Sequence, residues 1–287
     1  MNMSNEQLFF LNGTRAMVSL GPLTDVQHCP YRCAFCYVQD GFTKYARLDE
    51  DAIINFLHEQ RDNYKIIYIS GDTDSFAPPR TERALLLLER IVNELDVDVL
   101  FTTRTIFSSQ HLEILKRIIA EQKRTGNMFY ACISITRYSE EAAYIEPNPI
   151  PTPDERIETL INLKKIGATT VAALRPFLPI VDVNDYITIL EKTKGYVDIA
   201  LGEPFYFVRN GKICKRVFPN GIPEKIENDI TRNVKMSFDN NNLDWDVWDS
   251  SFYENTVRKY CDDNNIVFSM HSDDAISKYL KKMNSAI

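Results

Sequence analysis

Cys29-Pro30-Tyr31-Arg32-Cys33-Ala34-Phe35-Cys36-Tyr37 places three cysteines at C-x3-C-x2-C spacing in a 287-residue chain. Three thiolates gathered in one tight loop can hold three corners of a cuboidal iron–sulfur cluster, whereas clusters that only pass electrons normally take four cysteines. The fourth iron is then open to a ligand. Thiolates also suit zinc, and His28 offers a fourth donor for such a site. His28 adjoins Cys29, however, and would have to fold back sharply on it, and no second C-x2-C pair occurs in the chain. The spacing favours a cluster over zinc.

Outward from this stretch the chain alternates between strand and helix patterns. Ala16 to Leu20 is a short apolar run ending at Gly21-Pro22, which fits a buried first strand leading into the cysteine loop. Further strands are predicted at 65–70, 98–103, 128–136, 170–175 and 197–201. Helices fall between them. Asp49-Glu50-Asp51 supplies an acidic helix start, Ala84 to Leu95 shows one apolar face, and Ser108 and Ser109 are cap candidates. Thr152-Pro153-Asp154-Glu155 is a capping box with proline at the first helical position, and its helix is expected to end at Gly167. A fifth helix is expected from about Asn184 to Gly195.

Strict alternation with right-handed crossovers implies a parallel sheet that curls. The expected fold is α/β, a partial (βα)6 TIM-type barrel over residues 1–204. Residues 205–287 form an irregular and helical C-terminal extension packing on it, with helices near Phe252 to Asp263 and Asp273 to Met283. Trp245, Trp248, Phe252 and Tyr253 give this extension the aromatics of a lid, a dimer surface or an ordinary core cover.

A net charge of −7 and a sequence pI near 5.3 argue against a surface built to hold a polyanion. The paired basic residues Arg80 and Arg83, Lys116 and Arg117, Lys164 and Lys165, and Lys281 and Lys282 read as solvated helix faces. No apolar run is long enough to span a bilayer, and Met1 to Gln7 lacks the order of a signal peptide. A cytoplasmic protein with no membrane partner is expected, its six cysteines reduced or ligating. Cys214 and Cys261, far apart, read as structural.

Parallel barrels gather their chemistry at the carboxyl ends of the strands. There the second strand leads into Ser70-Gly71-Asp72-Thr73-Asp74-Ser75-Phe76, where Gly71 allows close backbone approach and Asp72 or Asp74 can meet an ammonium group. The third leads into Thr102-Thr103-Arg104, and an arginine at that rim can hold a carboxylate in a fork. On the fourth, Tyr130, Cys132, Ser134 and Thr136 alternate onto one face. Cys132 is the candidate catalytic hydrogen donor, although a lone strand cysteine more often fills core. Arg175 follows the fifth strand and, with Tyr68, Tyr130 and Glu203, is a candidate to face a substrate.

The cysteine spacing, with the aromatic Phe35 before the last cysteine, resembles the radical S-adenosylmethionine superfamily. From about Ala16 to Pro179 the chain is similar to its spore photoproduct lyase-like branch. The likeness is carried by Ser70 to Asp74, Thr102-Thr103-Arg104, Ile133 to Thr136, Ile145-Glu146-Pro147, Asp154 to Ile157 and Arg175-Pro176-Phe177-Leu178-Pro179. The resemblance implies a [4Fe-4S] cluster on Cys29, Cys33 and Cys36. It also implies S-adenosylmethionine as cofactor, contacted by Tyr37, Gly71, Asp72, Asp74, Arg104, Ser134 and Arg175. An external one-electron reductant of flavodoxin or ferredoxin type would feed the cluster.

The departures are as specific as the matches. The Gly-Gly-Glu sequence usual for the amino group is replaced by Ser70-Gly71-Asp72, and arginine stands at 104 where the branch commonly has lysine. Spore photoproduct lyase itself carries a hydrogen-donating cysteine after the second strand, and this chain has none between Cys36 and Cys132. Repair of thymine dimers is therefore not expected. With 28 residues ahead of Cys29, no N-terminal peptide-recognition domain is expected either. The implied reaction is reductive cleavage of S-adenosylmethionine and hydrogen abstraction from a small-molecule substrate. Radical modification or repair of a nucleic-acid base is the alternative, and a zinc or redox-sensing binding protein is the third reading.

Overall fold

The computed structural model describes residues 10–12, 15–20, 29–38, 49–71, 73–236 and 242–285. An antiparallel hairpin pairs β1 (Phe10–Asn12) with β2 (Arg15–Val18). Five βα units follow in order: α1 (Glu50–Glu59), β3 (Ile66–Ile69), α2 (Thr81–Glu94), β4 (Asp98–Thr103), α3 (Ser109–Arg124), β5 (Phe129–Ser134), α4 (Pro153–Lys165), β6 (Thr169–Ala173), α5 (Val183–Lys192) and β7 (Ile199–Leu201). The strands from β2 to β7 pair in parallel in chain order. This is the open partial barrel that the sequence predicts.

Helix starts follow the local chemistry. Asp49 caps α1 by accepting from the Ala52 amide at 2.8 Å, and Thr152 and Glu155 form the expected capping box at α4. Gly167, at φ +100°, supplies the left-handed residue just past the end of α4. Alternation along each strand sorts the side chains into two cores. Ile67, Ile69, Val99, Phe101, Ala131, Ile133 and Ala172 pack under the helices, while Tyr68, Leu100, Tyr130, Cys132, Val171 and Ala173 face the barrel interior.

The tail does more than cover the barrel. Its β8 (Tyr206–Val208), β9 (Ile230–Val234) and β10 (Trp245–Trp248) form a separate antiparallel sheet, with α6 (Lys212–Val217) and α7 (Glu224–Glu227) between β8 and β9. After α8 (Ser251–Asp263), β11 (Val267–Ser269) joins β7 in parallel, so the sheet holds one parallel strand more than the six read from sequence. Three residues are too few to show a period, which is why β11 escapes a pattern search. Just past β7 a Cβ on Gly202 would come within 2.6 Å of the Phe177 ring and 2.7 Å of the Met270 sulfur, so any larger residue would push these side chains aside. Helix α9 (Ser272–Asn284) then lays Ala275 and Tyr279 into the interior core, and Arg15 reaches Ser272 Oγ at 2.5 Å.

Candidate active site

At the carboxyl ends of the strands lies a cavity of about 280 Å³. Cys29, Cys33 and Cys36 line one part of it, beside Tyr37, Gly71, Asp74, Arg104, Ser134 and Arg175. The structure thus brings together every expected cofactor and cluster residue except Asp72, which, like His28, lies outside the described residues. Cys132 is not among the lining residues. It sits fully buried on the interior face of β5, where burial pushes its thiol up and Thr102 hydrogen-bonds to it.

None of the three cysteines is in a disulfide. Burial, followed by the nearby Asp74 carboxylate, raises Cys29 to about 11, although the backbone N–H groups of Asp74 and Tyr31 bond to its sulfur and oppose the rise. Burial likewise pushes Cys33 well up, against the lowering influence of Arg104. Thiols held neutral in this way become stable thiolates once metal binds them. Among the described residues no three His, Cys, Asp or Glu side chains are grouped to hold a single ion. A cuboidal cluster makes no such demand, because each cysteine meets a different iron. The donor set, with N–H groups already aimed at one sulfur, fits the cluster.

Asp74 is wholly buried and ties two rims together. Its carboxylate accepts from Thr103 Oγ1 at 2.8 Å, the Arg104 amide at 2.7 Å and the Phe76 amide at 3.0 Å. Burial raises its pKa, and these donors work against the rise. Both oxygens are thus engaged by protein, and Asp74 fixes the loop after β3 to the end of β4. Arg80, expected on a solvated helix face, is buried and donates to the Asp74 carbonyl at 2.9 Å. It stands just ahead of α2, where the chain folds back toward the loop, so helical spacing does not describe it.

Arg104 lays its guanidinium over the Phe35 ring, 5.7 Å from the centroid, and its Nε meets Glu146 at 3.3 Å. Among the described residues no side chain bonds its two terminal nitrogens, which leaves a fork for a ligand carboxylate. Glu146 is the hub beneath. Its carboxylate takes Arg156 at 3.0 and 2.6 Å, and Arg156 also donates to the Ser134 carbonyl at 2.7 Å. Burial works to raise Glu146, and the guanidiniums of Arg156, Arg104 and Arg137 overcome it and hold the carboxyl below its usual range. Deeper in, Arg175 donates to Tyr68 Oη at 2.7 Å, Tyr68 shares a bond with Thr102 at 2.9 Å, and Tyr206 donates to Glu203 at 3.1 Å. Tyr68, Arg175, Glu203 and Tyr206 all line the cavity, whereas Tyr130 lies under it.

Sequence reasoning missed the role of Glu146 and Arg156, because a buried ion pair leaves no periodic trace. It also missed Arg216 of α6, which donates to the Ala34 carbonyl at 2.8 Å and the Cys36 carbonyl at 3.0 Å. A glutamate seven residues before the helix-start Pro153 and an arginine inside that helix were visible, but nothing local joins them.

No curated protein matches the chain in sequence. Among solved structures it is similar in fold to spore photoproduct lyase. A double mutant of that enzyme with bound AdoMet and dinucleoside spore photoproduct superposes with TM-score 0.64 at 13% identity, covering 89% of this chain and 76% of that one. SuiB of Streptococcus suis, bound to its precursor peptide SuiA, gives TM-score 0.57 at 12% identity over 91% of this chain and 49% of that one. The profile of the Radical SAM superfamily matches residues 24–193. With more than half its length matched, the chain belongs to the Radical SAM superfamily and is an enzyme of that class.

Proposed function

We propose that Cys29, Cys33 and Cys36 hold a [4Fe-4S] cluster whose open iron takes S-adenosylmethionine, and that the enzyme abstracts hydrogen from a small-molecule substrate in the barrel. The observation that carries this reading is the convergence of the three cysteines with Arg104 and Ser134 on one cavity at the strand ends. When bound and reduced by an external one-electron donor, the cluster supplies the electron that cleaves S-adenosylmethionine to methionine and a 5′-deoxyadenosyl radical.

The chain's own residues position and enclose. The Arg104 fork and the Ser134 hydroxyl meet the methionine carboxylate, with Arg104 aimed by Phe35 and Glu146. Gly71 and Asp72 take the ammonium, since the Asp74 oxygens already serve protein donors. Tyr37 stands at the same wall. Arg175, Tyr68, Glu203 and Tyr206 form the polar wall for the rest of the ligand set, and the extension helps keep water out through Phe205, Tyr206 and Ser272. A cavity of about 280 Å³ is at the small-ligand scale, and the net charge of −7 disfavours a polyanion.

The test is anaerobic reconstitution with iron and sulfide, followed by dithionite and S-adenosylmethionine, with 5′-deoxyadenosine quantified against Cys33→Ala. Product from the wild type and none from the variant is expected. Equal product from both, or zinc in place of iron, would overturn the assignment.

A further inference from the structure

The extension reaches the cysteine loop directly. Helix α6 buries Ile213, Cys214 and Val217 in the main core, which leaves its neighbouring Arg216 beside the loop from a point about 180 residues away in sequence. There the guanidinium donates from Nε to the Ala34 carbonyl at 2.8 Å and from Nη2 to the Cys36 carbonyl at 3.0 Å. Ala34 is gripped on its other side as well, its amide donating to the Ile145 carbonyl at 2.8 Å. The neighbouring Tyr144 hydroxyl closes the circuit by donating to the Val217 carbonyl of α6 at 2.8 Å. The cysteine loop, the turn at Ala143–Ile145 and α6 are thus one ring of hydrogen bonds.

We propose that Arg216 is a positioning residue for the cluster. It orients the Ala34–Phe35 and Cys36–Tyr37 peptide groups, fixes the spacing of Cys33 and Cys36, and sets a positive charge beside the site. This rests on the reading of the three cysteines as cluster ligands. Charge-assisted bonds from a planar fork are directional, so two of them on adjacent turns of one loop specify its shape. Outer groups of this kind also tune a cluster, because its potential follows nearby charge and hydrogen bonding. Removing a cation makes addition of an electron harder. The consequence is that residues beyond the matched family region, 24–193, help build the catalytic centre.

The test uses Arg216→Ala and Arg216→Lys in the full chain, with hydrogen exchange of residues 29–38 in metal-free protein and the midpoint potential of the reconstituted cluster as readouts. In Arg216→Ala, which removes both bonds, exchange over 33–36 is expected to rise at least about tenfold, while β4 and β5 stay unchanged. The midpoint is expected to move to more negative values. Arg216→Lys, which keeps the charge and loses the fork, should restore most of the potential and less of the protection. Wild-type exchange and potential in both variants would overturn the proposal. Exchange that rises across the whole barrel would also overturn it, since Arg216 would then serve folding in general. If the wild type takes up no cluster, the reading of the cysteines fails, and the exchange data still decide whether Arg216 holds the loop.

Discussion

Two guanidinium–carboxylate networks are built from the same chemistry and do different work. Under the cavity, Arg156 and Glu146 have no exposed side-chain surface, and Glu146 relays to Arg104 at the site. In the extension, Arg209 bridges Glu227 at 2.9 Å and Asp246 at 2.6 Å with its side chain about one-third exposed, and Arg232 joins the same Glu227. Water screens the Glu227 end of the second network, whose Asp246 end is buried, and cannot reach the first. A buried pair is no more stabilising than a good apolar pair, but losing one partner strands a charge. Placement under Arg104 therefore gives positional precision, whereas the half-screened network only fastens the residue after β8 to α7 and β10.

The largest expected effect breaks this comparison if it fails to appear. Arg156→Ala should lower unfolding stability by about 3–5 kcal/mol in a denaturant titration, since Glu146 is left buried without its main partner. A loss near that of an exposed pair would show that the hub is not dry. The pH dependence comes next. Glu146 is held below its ordinary value of 4.5, so its contribution is fully present above that value and is lost as pH falls through the lower folded value. Denaturant titrations between neutral pH and pH 3 should show that acid loss in the wild type and a shallower slope in Glu146→Gln.

Arg209→Ala sharpens the contrast from the other side. With its Glu227 contact screened and its Asp246 contact buried, it should cost about 1–2 kcal/mol, well below Arg156→Ala. A loss matching that of Arg156→Ala would erase the distinction between the networks. The smallest effect is that of salt. Raising ionic strength from about 0.1 M to 1 M shortens the screening length from about 10 to 3 Å. The cost of Arg209→Ala should shrink with it, while the cost of Arg156→Ala should hold.

The barrel was legible because its units repeat a period. Strand β4 was read at 98–103 and found at Asp98–Thr103, and the capping box at Thr152 placed the start of α4. Site residues at strand ends followed from the fold, which is why Gly71, Asp74, Arg104, Ser134 and Arg175 all line the cavity. In the extension the helices expected near 252–263 and 273–283 are found as α8 and α9, whereas β8 and β11, three residues each, carry no period and stayed unread. Arg156 shows the other blind spot. It sits among Asp154, Glu155 and Glu158 in a helix start that reads as solvated, and only tertiary structure buries it. Arg216 is hidden for the same reason, beside Lys215 on a short helix whose partner loop is remote.

A [4Fe-4S] cluster held by three cysteines would leave one iron open to S-adenosylmethionine. The most direct measurement is the electron paramagnetic resonance spectrum of the dithionite-reduced, reconstituted protein with and without S-adenosylmethionine. A reduced [4Fe-4S] signal whose g values shift on addition is expected, and no such signal from Cys33→Ala. A cluster signal unmoved by saturating S-adenosylmethionine would contradict that expectation.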